Sequence, residues 1–169
     1  MTNLMTERLR LEPVSEAHYS ALRLMNTDPE VMTYLNGGQP ETEEVTRAAI
    51  SRTRMRWQQW GYSWWVLVRL EDETVIGMAC LQHLDGDSSK PHEIGWRLAR
   101  AGWGQGYASE AAQAIVAHAF GVVGAPEVVA VADSANAASI KVMTRLGMQY
   151  VGQERHYDMD CVVYRLARP

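Results

Sequence analysis

Glu93-Ile94-Gly95-Trp96-Arg97-Leu98-Ala99-Arg100-Ala101-Gly102-Trp103-Gly104-Gln105-Gly106-Tyr107-Ala108-Ser109-Glu110-Ala111-Ala112 is the stretch that decides how the chain folds. It reads as a strand, a turn with glycine at alternate positions, and an alanine-rich helix. Glycine at a strand-to-helix turn lets backbone amides face outward and approach a ligand closely. The first turn of a helix leaves its N–H groups without intrahelical partners, and the helix dipole makes that end partly positive. Together these features predict an anion site, most naturally for phosphate. A Gly-x-Gly turn also occurs for packing alone. Its place between a strand and a helix is what an anion site requires.

Before this stretch, Ser63 to Leu70 and Thr74 to Leu84 form an apolar hairpin, and Lys90 to Leu98 is a third consecutive strand. After it, a helix from about Tyr107 to Phe120 puts Ala108, Ala111, Ala112, Ile115 and Ala119 on one face, suited to close packing on a sheet. The strand Glu127 to Ala132 follows, then a helix from Ala137 to Leu146 with Asn136 as N-cap and Gly147 as stop. Met148 to Glu154 and Met159 to Leu166 are closing strands. At the start, Arg8 to Glu12 alternates as a strand, and Ser15 caps a helix from Ala17 to Met25. Asp28-Pro29 opens a short helical piece reaching Leu35. Thr42 caps a longer helix that Gly61 ends after Trp60. No linker or repeat interrupts the pattern, so residues 1–169 form one α/β domain.

Composition narrows the function. A net charge of −4 argues against a general nucleic-acid binder. Cys80 and Cys161 lie far apart in apolar strands, which favours reduced thiols over a disulfide or a metal site. The start, Met1 to Glu7, lacks the basic and apolar regions of a signal peptide, and no apolar run is long enough to span a membrane. These features lead to the expectation of a cytoplasmic protein with no membrane partner. A nucleotide-binding P-loop would need Lys followed by Ser or Thr after the glycines, where Tyr107-Ala108 stands.

Arg8-Leu9-Arg10-Leu11, Pro29 to Leu35, Glu93 to Trp96, Gly102 to Ala111, and Asn136 with Ser139 before Leu146-Gly147-Met148 together resemble the GNAT superfamily of acetyl-CoA-dependent N-acetyltransferases. Within it the chain looks like the branch of the RimJ and RimL ribosomal-protein N-terminal acetyltransferases. The superfamily's acetyl-CoA motif usually carries Gln or Arg where this chain has Ala101. The resemblance implies a mixed, mostly antiparallel, splayed sheet of seven strands with about four helices. It implies acetyl-CoA as cosubstrate, no metal, and an amine acceptor that is a protein N-terminus or a small molecule. The terminal strands could support a homodimer.

The same resemblance assigns roles. Backbone N–H groups from Gly102 through Trp103, Gly104, Gln105 and Gly106 to Tyr107 would hold the pyrophosphate, and Trp96-Arg97-Leu98 would run beside the pantetheine. Asn136 and Ser139 would complete the cosubstrate site, Ser139 contacting it near the thiol and protonating the departing thiolate. Asn136 reads equally as a plain helix cap, and Ser139 as a solvated hydroxyl. Glu93 is the carboxylate placed to accept the amine's proton; its other reading is a solvated charge paired with Lys90 or Arg97. Tyr34, Trp64 and His156, with neighbouring Tyr157, are the acceptor-lining candidates. The remaining aromatics of Trp57, Trp60, Tyr62 and Trp65 read as core, and Arg52, Arg54 and Arg56 as a solvated helix face. The two rival functions are acetylation of a small amine and a non-catalytic acyl-CoA-binding module.

Overall fold

The computed structural model describes residues 1–169. Its strands are β1 (Leu4–Met5), β2 (Leu9–Pro13), β3 (Trp64–Arg69), β4 (Thr74–His83), β5 (His92–Leu98), β6 (Glu127–Ala132), β7 (Gln149–His156) and β8 (Met159–Ala167). Its α-helices are α1 (Tyr19–Asn26), α2 (Pro29–Met32), α3 (Glu43–Trp60), α4 (Tyr107–His118) and α5 (Ala137–Arg145). One sheet of 8 strands runs in the order β1-β2-β3-β4-β5-β6-β8-β7. All neighbours are antiparallel except β5 and β6.

This is the expected mixed sheet with one strand and one helix more than the seven and four anticipated. The added strand, β1, has 2 residues, too few for any alternation to show in the sequence. The first helix begins at Tyr19 rather than Ala17, because Ser15 caps a single 3-10 turn, Glu16–His18. The predicted end of α4 is replaced by a π turn, Ala119–Val123, closed by Gly124 at φ +75°. Both cysteines are buried free thiols. No helix is long and apolar enough to cross a membrane.

The sheet buries both faces. One face sets Leu9, Leu11, Trp65, Leu67, Leu81 and Ile94 against Ala111 and Ile115 of α4. Ala111 and Ala112 are fully buried, and their small side chains let α4 lie close to the strands. The other face sets Val66 and Val68 against Leu22 and Met25 of α1 and Ile50 of α3. Trp57 of α3 meets Trp65 edge-on at 4.9 Å between centroids, confirming these two aromatics as core.

The parallel pairing of β5 with β6 covers only His92↔Val128 and Glu93↔Val129. Beyond Glu93 the two strands part, while β5 stays paired with β4 through Leu98 and β6 stays paired with β8 through Ala132. The edge of β5 that faces β6 therefore carries peptide groups without a strand partner, and such groups need another. This is the predicted splay.

Candidate active site

The glycine turn lies at the far end of the splayed edge. Gly104 and Gly106 have φ of +73° and +84°, a region L-residues avoid. The amides of Gly104, Gln105 and Gly106 donate to no backbone carbonyl. A Cβ at Gly104 would meet nothing within 4 Å, so this face of the turn is open. Gly102 differs. It is buried, its N–H donates to Ala99 O at 2.8 Å, and a Cβ there would lie 3.3 Å from Ile76 O. The Trp103 N–H is likewise engaged, with Arg100 O at 3.0 Å. The donor set expected from Gly102 onward thus narrows to one beginning at Gly104, and Gly102 serves close packing.

Several side chains brace the turn. Trp103 Nε1 donates to Leu98 O at 2.9 Å, and Gln105 Nε2 donates to Ala101 O at 2.8 Å. Arg8, from the segment before β2, donates to Gln105 O at 3.0 Å and to Glu110 of α4 at 2.7 Å. Its guanidinium stacks on the Tyr107 ring at 4.5 Å from the centroid. Tyr107 is itself buried in the core. Arg8 was visible only as part of a strand motif; its clamp on the turn joins residues nearly a hundred positions apart, which no local pattern reveals. Trp96 and Leu98 pack against the α4-side core, and Arg97 turns to the other face, bonding Asn26 at 2.8 Å and Glu41 at 3.1 Å. What this strand end offers a ligand is therefore its backbone.

Past the end of β6, Asn136 Oδ1 accepts the Ser139 N–H at 3.1 Å and caps α5. Ser139 is half-buried in the first turn.

Glu93 is not a solvated edge charge, and neither Lys90 nor Arg97 is its partner. It is 6 % exposed and accepts hydrogen bonds from Gln82 Nε2 at 2.9 Å and from the Tyr157 hydroxyl. Burial pushes its pKa above the usual carboxylate range, and the bonds from Tyr157 and Gln82 pull it back only in part. Gln82 is fixed in turn, its Oε1 accepting from Arg56 at 2.7 Å and from Trp64 at 3.1 Å. The Tyr157 oxygen accepts from Gln82 Nε2 at 3.1 Å and from the Asp85 N–H at 3.0 Å. Burial, with the neighbouring Glu93 carboxylate, drives the Tyr157 phenol far above its ordinary pKa, so it stays a proton donor. Tyr157 and Asp158 form the two-residue β7–β8 turn at φ +52° and +61°. Such turns favour Asn-Gly, and a tyrosine held there is strained backbone at a candidate functional position. Asp85 holds it, accepting the Tyr157 N–H at 3.2 Å, Lys90 Nζ at 2.6 Å and bonding His156 Nδ1 at 2.9 Å.

A cavity of about 350 Å³ opens between α1, α3 and this face of the sheet. Trp64, Gln82, Arg97 and Tyr157 line it. Of the three expected acceptor residues, only Trp64 is there. Tyr34 is half-buried outside it, and His156 is buried behind the turn, bridging Asp85 and Glu154. Its neighbour Tyr157 takes the lining position. Arg56, expected on a solvated face, is also in the lining. Cys80 lies on β4 opposite Gly95, and burial raises its thiol well above the usual range, so it is a poor nucleophile.

The family model for the acetyltransferase (GNAT) domain matches residues 8–149. An uncharacterized N-acetyltransferase, p20, of Bacillus licheniformis is 32% identical over 163 residues, covering 94% of this chain and 88% of that protein. The crystal structure of an acetyltransferase from Agrobacterium tumefaciens is similar with a TM-score of 0.86 and 27% identity, covering 99% of this chain and 95% of the other. RimL, a ribosomal alpha-N-protein acetyltransferase solved in complex with coenzyme A, gives a TM-score of 0.83 at 20% identity and covers 98% of each chain. At that identity the likeness to RimL speaks to the fold alone.

Proposed function

The chain belongs to the GNAT acetyltransferase family, whose members take their acetyl group from acetyl-CoA, and from that premise we propose that it acetylates a primary amine. The observation that carries this reading is that the β5–β6 ladder stops at Glu93, the one buried carboxylate beside the opening. The open edge of β5 suits the amides of a pantetheine arm, and the free N–H groups of Gly104, Gln105 and Gly106 suit a pyrophosphate.

The residues divide the reaction as follows. An ammonium has no lone pair, so the acceptor must lose a proton before or as its nitrogen bonds to the thioester carbon. Glu93 takes that proton, through water, and its raised pKa makes it a stronger base than an exposed carboxylate. A free N–H of β5 donates to the carbonyl oxygen as negative charge grows there. The carbon–sulfur bond breaks, and the Ser139 hydroxyl assists the thiolate in regaining a proton. The raised thiol of Cys80 is consistent with direct attack rather than an acetyl-cysteine intermediate.

The acceptor is the α-amine of a peptide N-terminus, as in the RimJ and RimL branch the sequence resembles. A second reading, a small free amine, draws on the cavity, whose 350 Å³ lies at the small end of the range of small-molecule pockets, about 300–1,000 Å³. The test is release of CoA thiol when purified protein meets acetyl-CoA with panels of peptides and small amines. Thiol release with neither panel would overturn the enzyme. Thermal stabilisation by ATP and not by acetyl-CoA would overturn the cosubstrate.

A further inference from the structure

Arg56 carries an uncommon arrangement of charge. Its guanidinium is half-buried at the wall of the acceptor cavity and has no carboxylate within 4.0 Å. Its contacts are neutral: Gln82 Oε1 at 2.7 Å, the face of Trp60 at 5.3 Å, and the backbone of Gly86. A Cβ at Gly86 would fall 2.2 Å from Arg56 Nη2, so the glycine makes room for the guanidinium. Burial first, and then the like charge of Arg52 on the same cavity wall, press the Arg56 pKa down, and the smaller opposing influences of Tyr157, Cys80 and Glu93 offset this only in part. A guanidinium does not respond by shedding its proton. It remains a cation with no carboxylate in direct contact, Glu93 lying one side chain away behind Gln82. Arg97, the third arginine of the wall, is already matched by Glu41 at 3.1 Å.

We propose that Arg56, with Arg52 beside it, is an anion subsite that selects acceptors bearing a carboxylate close to the amine. The proposal rests on the acetyltransferase reading of the same cavity and adds what the acceptor must carry. The spacing supports it. Gln82 alone stands between the two groups, accepting from Arg56 at 2.7 Å and donating to Glu93 at 2.9 Å. An acceptor with its amine at Glu93 and its anion at Arg56 therefore needs the two only a few bonds apart. Two sources offer that chemistry: a free amino acid, through its own carboxylate, and a peptide whose first residue is acidic. Five N–H donors in a planar fork suit a carboxylate better than an ammonium would.

The experiment compares matched acceptors, alanine against alaninamide for the free amino acid and Asp-Ala-amide against Asn-Ala-amide for the peptide. In the wild type, the carboxylate member of one pair should win in kcat/KM by about ten- to hundredfold, the range of a charged hydrogen bond. Which pair shows the preference identifies the source. Arg56→Gln should collapse that ratio toward one, and Arg56→Lys should retain part of it. Gly86→Ala, which displaces the guanidinium without removing its charge, should also lower the ratio. Calorimetric titration of the same four compounds gives a second readout, in which Arg56→Gln weakens the carboxylate member selectively. Parity within both pairs in the wild type, or equal losses for both members in Arg56→Gln, would overturn the subsite. Selective carboxylate binding through Arg56 with no thiol release from any amine would instead leave the subsite standing and remove the acetyltransferase reading.

Discussion

At the scale of single residues, Glu93 has opposite consequences for activity and for stability. Its folded pKa lies above the 4.5 of the free side chain. A base works only when ionised, so kcat/KM should rise with pH through that raised value. The folded state binds its proton more tightly than the unfolded state, so the Glu93 contribution to stability falls as pH rises from about 4.5 through the folded pKa. Glu93→Gln should lower kcat by about 10²–10⁴ if the proton transfer is as proposed, measured by thiol release. Tyr157→Phe removes a hydrogen bond that favours the carboxylate. It should therefore move the acid limb of the pH–rate profile upward by about one unit. A downward or absent shift would detach Tyr157 from the base. Glu93 was legible in the sequence because a motif surrounds it, and Asn136 because a helix cap has a local signature. Tyr157 was visible only as a neighbour of His156, since a bulky residue at φ +52° is the last choice a turn preference would suggest.

At the scale of elements, the turn between β5 and α4 depends on a clamp from the other end of the chain. Arg8 to Ala should raise KM for acetyl-CoA several-fold while changing stability by under about 1 kcal/mol, because the Arg8–Glu110 pair is partly solvated. Gly106→Val places a β-branched residue at φ +84°, a strain of about 1–3 kcal/mol. The same strain tilts the free amides away, so affinity for acetyl-CoA should fall, read by equilibrium titration. The strand–turn–helix unit was legible because each part has its own period and punctuation. The division of labour inside it was not. Gly102 and Gly104 look alike in sequence, yet one is buried against Ile76 and the other faces open space. Helix α3 shows the same limit. Arg52, Arg54 and Arg56 read as one polar face, but a helix turns about 100° per residue, so Arg52 and Arg56, four apart, both reach the cavity wall, Arg56 over Trp60, while Arg54 meets Glu16 instead.

At the scale of the whole molecule, the alternation of strands and helices made the α/β class readable, and the family resemblance supplied the mixed, splayed sheet but not its strand order. The two-residue β1 and the exact extent of the splay lay beyond it, because pairing between distant segments leaves no local trace. Acetyl-CoA at a hundredfold excess over its Kd should add about 2.7 kcal/mol. At this chain length each kcal/mol raises Tm by roughly 2–4 °C, which a thermal melt would show. The short β5–β6 ladder has a mechanical side as well. Strands β1 to β5 and the trio β6, β8 and β7 are two rafts of hydrogen bonds lashed together at only His92↔Val128 and Glu93↔Val129. Beyond Glu93, side chains such as Ile94, Ala130 and Met143 cross the join, but rungs do not. Each raft can then breathe on its own until a ligand spans the gap. Amides of β8 that touch no ligand should exchange with deuterium more slowly once acetyl-CoA is bound, the bound molecule acting as a splint across the break.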